Sequence, residues 1–211
     1  MMRYLVFILG LLTLAGTWLG PMPNLAKYSF AAHMTMHMAV VAVAAPFLAL
    51  AVAGTSFDPV RRWPALFPPI PLSVVELVVV WAFHAPALHH AARHGLAGLA
   101  LEQGAFLLCG LLVWLSAFGG DARRRRDRAG AGVAALLLTS MHMTLLGALL
   151  ALTPRSLYAH AGHLQSLTPL DDQHLGGAIM LVVGGVSYLA GGLWLTAGLV
   201  RAAAEKREAV A

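Results

Sequence analysis

The chain has 211 residues, of which 59% are hydrophobic and 11% are charged, and its mean hydropathy is +0.76. Soluble domains carry about 25% charged residues, so this composition excludes an ordinary soluble enzyme and indicates an integral membrane protein. The net charge of +5 does not indicate a nucleic-acid partner, because the basic residues lie in short segments between apolar runs.

Six apolar runs approach the length of about 20 residues that a transmembrane helix needs. We therefore predict an all-α fold, a polytopic membrane helix bundle of about six transmembrane helices that forms a single domain, 1–211. The helices are expected at about 4–20, 32–54, 73–92, 96–118, 131–153 and 175–200. The first run resembles the apolar part of a signal peptide, but no small-residue cleavage site follows it, so we expect a retained helix.

Histidine and methionine residues open the second run. His33 and His37 are one helical turn apart and share a face of the helix, and Met36 lies on the same flank. Imidazole and thioether groups together suit Cu(I), and ionisable groups in a membrane helix are rare and often functional. The alternative is two interfacial histidines beside lipid-facing methionines. Further along, Pro46 is expected to kink this helix.

The middle runs carry more histidines. His84 stands between Phe83 and a proline near the end of the third run. The histidines that follow it are expected to be solvated interfacial residues: His89, His90 and His94. His142, deep in the fifth run, is either a core histidine or, with His37, an axial ligand of a b-type haem.

Acidic residues mark three other places. Glu76 lies in the third run and Glu102 near the start of the fourth. Asp172 and Gln173 precede the last run, where they are suited to capping a helix. Asp172 is alternatively suited to orienting a metal-bound histidine, as carboxylates often do.

Basic residues orient the bundle. With the N-terminus in the cytoplasm, eleven of the 14 Lys and Arg residues fall inside and three outside, which satisfies the positive-inside rule. We expect Asp121 to Arg128 to be a cytoplasmic loop that anchors the protein. The same orientation places the histidines on the outer side, apart from the deep His142, and so favours a site that faces the extracytoplasmic space. The C-terminus is expected in the cytoplasm.

Three motifs, in this order, resemble the CtaG family of cytochrome c oxidase assembly factors, which is associated with caa-type oxidases. They are His33-Met34-x-x-His37-Met38, Phe83-His84-x-Pro86-Ala87-Leu88, and Leu170-x-Asp172-Gln173-x-Leu175-Gly176-Gly177-x-Ile179-Met180. The family often has a histidine after the glutamate of the fourth helix. This chain has Gln103 there, which argues against a ligand from that helix.

The resemblance implies a non-enzymatic protein of the bacterial plasma membrane that helps to deliver copper to a haem-copper oxidase. We expect a copper site, as Cu(I), with His33, His37 and His84 as ligands, Met36 as a soft ligand and Asp172 behind a histidine. The expected partners are an oxidase subunit and the lipid bilayer, with homo-oligomerisation left open. A b-type haem protein and a copper permease are the alternatives, separable by visible absorption and by the polar residues that a transport path requires.

Overall fold

Helices joined by short connecting segments, without strands, make up the described residues of a computed structural model. These are residues 1–93, 95–158 and 167–208, without the side chains of 122–126. We number the α-helices in chain order: α1 Met2–Leu19, α2 Met22–Leu25, α3 Phe30–Met38, α4 Ala45–Val52, α5 Pro59–Arg62, α6 Pro69–His84, α7 Pro86–Ala92, α8 Leu96–Phe118, α9 Ala122–Leu152, α10 Pro169–Ile179 and α11 Gly185–Glu208. A 3₁₀-helix, Pro64–Leu66, precedes α6.

Two of the long helical rods contain a π-helical segment. Ala39–Ala44 joins α3 to α4, and Met180–Gly184 joins α10 to α11. Among the described residues, five helices are long and apolar enough to cross a membrane, or six when α6 and α7 count as one bent span. The predicted all-α membrane bundle is therefore confirmed.

Proline explains the bend between α6 and α7. Pro86 disfavours helical backbone at the residue before it, and Ala85 is extended, with φ −66° and ψ 129°. The two helices consequently meet at 79°. The third predicted helix, 73–92, is thus broken, and α7 turns across the end of the bundle instead of continuing along it.

The π segment before α4 frees backbone carbonyl groups that the last helix satisfies. Pro46 has no N–H to donate to the carbonyl of Ala42, and the Ser187 hydroxyl donates to that oxygen at 2.7 Å. The neighbouring Val41 carbonyl oxygen lies 3.4 Å from the Tyr188 hydroxyl oxygen. The predicted irregularity at Pro46 therefore joins the second and last spans.

Polar side chains lie inside the bundle and apolar ones outside. His33, His37 and Glu102 are fully buried, whereas on α1 Leu5 is 57% and Leu12 61% exposed. In water this distribution would be unfavourable, but lipid is a favourable solvent for the outer face. The arrangement is that of a membrane protein.

One end of the bundle gathers the loops predicted to be cytoplasmic. The Asp58 carboxylate accepts from the backbone N–H groups of Gly54, Val60 and Gly120, and Arg61 donates to Asp121 at 2.7 Å. The prediction that 121–128 is a loop was wrong, because α9 begins at Ala122 and continues through the arginines.

Candidate functional site

The end of the bundle opposite Asp58 carries a group of buried histidines, and Asp172 fixes the start of the helix that presents two of them. One oxygen of this buried carboxylate accepts from the Ser29 hydroxyl at 2.7 Å and from the N–H of Ala31 at 3.3 Å. The other accepts from the N–H of Phe30 at 2.5 Å. The first N–H groups of a helix have no partner within the helix, so a residue of α10 caps α3. Asp172 thus positions His33 through the backbone, where we had expected a carboxylate–imidazole contact.

Three predicted ligands meet inside this end. The rings of His33, His37 and His84 have centroid separations of 6.4 Å (His33–His37), 5.7 Å (His33–His84) and 5.2 Å (His37–His84). All three are at most 4% exposed. Within the described part of the chain, both ring nitrogens of His33 and His37 lack hydrogen-bond partners. Buried polar atoms are normally paired, so these orphaned nitrogens are candidates for a ligand.

Two hydrogen bonds hold His84, one at its imidazole ring and one at its backbone carbonyl. Its Nδ1 lies 2.6 Å from the Val80 carbonyl, which requires a proton on Nδ1 and leaves the Nε2 lone pair available. Its own carbonyl accepts from the Tyr158 hydroxyl at 2.6 Å. Burial raises the pKa of that hydroxyl above its usual range, more than the charge of Arg93 lowers it, so Tyr158 remains a donor.

Two residues outside the predicted set complete the cluster. His89, on α7, lies 4.8 Å from the His33 ring centroid. Glu102, on α8, places a carboxylate oxygen 3.6 Å from His33 Nδ1. One donor atom from each of these three buried residues lies within 4.8 Å of the others, a spacing that one metal ion spans after small adjustments.

A cationic group borders this site. Arg93 donates to the backbone carbonyl of Ala26, which ties the end of α7 to the segment before α3. Burial lowers the pKa of its guanidinium, and the charge of Glu102 opposes that shift. An arginine does not lose its proton in proteins. Arg93 is thus a fixed positive charge close to the Glu102 carboxylate.

Met36 lines a different space from the predicted ligands. It is buried and borders a cavity of about 500 Å³ between α1 and α8, together with Trp18 and Gln103. The walls of this cavity are mainly apolar. Met36 as a copper ligand stays a prediction.

Deeper in the bundle, Glu76 belongs to a separate polar group. Its carboxylate accepts from the Tyr188 hydroxyl at 2.6 Å and from Thr139 at 3.1 Å. His142, one turn from Thr139 on α9, has no hydrogen-bond partner on either ring nitrogen among the described residues. These hydrogen bonds hold Glu76 within a closed network of three helices.

The family model for the cytochrome c oxidase caa3 assembly factor, Caa3_CtaG, matches residues 1–202. The chain belongs to this family. Searches of curated proteins and of solved structures gave no significant match. Membership makes the protein a cytochrome c oxidase assembly factor with several membrane-spanning helices.

The family match covers the whole site, but two site residues escaped prediction. His89 was expected to be solvated because it was placed on a straight helix, and the bend at Pro86 turns it inward while His90 stays exposed. Glu102 carried a usable signal, since an acid inside an apolar helix is often functional. The predicted loop histidines, His160 and His163, and His94 lie outside the described residues.

Proposed function

We propose that this assembly factor helps to deliver copper to its oxidase and that His33, His37 and His84 hold the ion as cargo. The observation that supports this most is the set of buried imidazole nitrogens without partners, contributed by two helices at one end of the bundle. Imidazole is a common copper ligand, and a buried site without an anion favours the monovalent ion Cu(I). The role is one of binding and transfer, without catalysis.

The proposed location is the bacterial plasma membrane, with the cluster at the outer side. Copper held there comes from outside the cytoplasm and stays close to an oxidase subunit in the same bilayer.

The hydrogen bonds of Glu76 bear on the copper permease alternative. Glu76 accepts hydrogen bonds from Tyr188 and Thr139. This network favours a structural role for Glu76 over a step on a permease path. An axial haem ligand needs open space beside its imidazole. The Phe106 ring fills that space at His37, with its centroid 3.9 Å from the imidazole centroid, which disfavours the haem alternative.

The test replaces both histidines of α3, His33→Ala with His37→Ala, in a bacterium that depends on this protein for its oxidase. Insertion should persist, because the apolar segments determine it. Oxidase activity at low copper should fall, the oxidase haems should remain, and added copper should restore part of the activity. Wild-type activity at matched expression would contradict the proposal.

His90→Ala is the matched control. His90 lies on the same short helix as His89 but is exposed, so its replacement should leave oxidase activity unchanged. A visible spectrum of the purified protein addresses the alternative, because a Soret band at one haem per chain would support the b-type cytochrome instead.

A further inference from the structure

The cluster contains two sets of ligands that differ in chemistry. His37 and His84 form an inner pair, with ring centroids 5.2 Å apart and the Phe106 ring against His37. His33 and His89 lie on the other side, with ring centroids 4.8 Å apart, and Glu102 joins them. Only the second set includes a carboxylate.

The two sets of side chains differ in net charge and should therefore prefer ions of different charge. An inner pair of neutral imidazoles against an aromatic ring offers no anion, so a monovalent ion is the least costly cation to bury there. The Glu102 carboxylate supplies one negative charge and a harder oxygen donor. Two imidazoles and a carboxylate are a frequent ligand set for a divalent ion such as Zn²⁺.

A hydrogen bond, the ring distances and the helices involved all indicate that the inner pair and the outer set are separate ion positions. The bond from His84 Nδ1 to the Val80 carbonyl fixes that ring independently of α7 and α8. By ring centroid, His33 lies 4.8 Å from His89, closer than it lies to His84 at 5.7 Å or to His37 at 6.4 Å. The outer set combines α3, α7 and α8, whereas the inner pair combines α3 and α6.

We propose that His33, His89 and Glu102 form a divalent-ion position next to the Cu(I) pair, His37 and His84. This deepens the proposed copper function, rests on it for the inner pair, and reassigns His33 from the copper ligands to the neighbouring divalent position. Arg93 lies near Glu102 and balances its charge when no ion is bound.

The experiment measures the affinity of the full-length, detergent-purified protein for Zn²⁺ and for Cu⁺, the latter in competition with a chromophoric Cu⁺ chelator. Glu102→Gln nearly conserves shape, and it should lower Zn²⁺ affinity by about tenfold or more while leaving Cu⁺ affinity within error. His37→Gln should do the reverse, and His84→Gln repeats that test from another helix. His89→Ala should behave as Glu102→Gln does, and His90→Ala as the wild type.

Retention of one metal in each variant shows that the variant is folded. Equal losses of both metals in Glu102→Gln and His37→Gln would overturn the proposal in favour of one shared position. Absence of Zn²⁺ binding by the wild-type protein would overturn it too. The measurement contains no oxidase, so either result leaves the assembly role to be judged by the activity test.

Discussion

At the scale of residues, the buried hydroxyl groups of the interior and the imidazoles of the site differ in their hydrogen bonding. Ser187, Tyr188 and Thr139 all donate to named acceptors, as buried polar groups normally do. The ring nitrogens of His33 and His37 do not, among the described residues. The fold therefore buries imidazole nitrogens without hydrogen bonds, which costs free energy unless a bound ligand compensates for it.

Asp172 should be as important as the histidines, although its hydrogen bonds hold the backbone of α3. Asp172→Asn leaves one acceptor oxygen for three donors, so we expect the free energy of unfolding to fall by about 1–3 kcal/mol. Cu⁺ affinity should fall with it, because His33 and His37 follow in the same helix. Thermal unfolding in detergent and the chelator competition measure the two effects.

Asp171→Asn is the control for this prediction. Asp171 is exposed and bonds to the Thr168 hydroxyl within the first turn of its own helix, so its replacement should change stability little. If the two variants behave alike, the link from α10 to α3 does not matter for the site.

At the scale of elements, most of the helices could be predicted, because each long apolar run needs a helix in lipid. The observed α8, Leu96–Phe118, has the predicted bounds. Two helices extend beyond their apolar runs: α9 begins earlier, at Ala122, and α11 ends later, at Glu208. Arginine, alanine, lysine and glutamate are good helix formers, so hydropathy alone underestimates where these helices end.

Bends were harder to predict than spans. A hydropathy window registers Pro86 as one residue in an apolar run, although it turns the chain by 79° and brings His89 over His33. The site was thus predictable where ligands share a straight helix, as His33 and His37 do. The contact between Glu102 and His33 was not predictable, because it depends on how α8 packs against α3, although an acid inside an apolar helix was itself a signal.

Glycine sets the contact between α9 and α10, since small residues let two helix backbones approach closely. A Cβ on Gly177 would lie 2.5 Å from the Ala151 nitrogen and 2.7 Å from the Gly147 carbonyl oxygen, both backbone atoms. Gly177→Ala should force the helices apart and lower the free energy of unfolding by about 1–3 kcal/mol. Thermal unfolding in detergent measures this effect.

The control variant replaces Gly130, a glycine on α9. A Cβ on Gly130 meets nothing within 4 Å, and alanine is the better helix former, so Gly130→Ala should cost no stability. Equal melting temperatures for Gly177→Ala and the wild type would mean that the two helices are not in fixed contact.

At the scale of the whole molecule, the two ends of the bundle differ in chemistry. One end holds Asp58, Arg61 and Asp121 in a network of loop hydrogen bonds. The other holds the histidines beneath α7 and the Arg93 contact to Ala26. The proposed copper delivery from the outer side therefore requires that the Asp58 end face the cytoplasm.

Reporter fusions decide that orientation. Arg61, Arg62 and the arginines at the start of α9 lie at the Asp58 end, and retaining so many positive charges in the cytoplasm favours that end inside. A reporter fused after Ala211 should be active in the cytoplasm, and one inserted near His160 should be active outside. The same fusions with Arg61 and Arg62 changed to glutamine provide a control that should keep the orientation, because the α9 arginines remain. The reverse pattern in the unaltered protein would place the histidine cluster on the cytoplasmic side and would contradict both the predicted topology and the delivery of copper from outside.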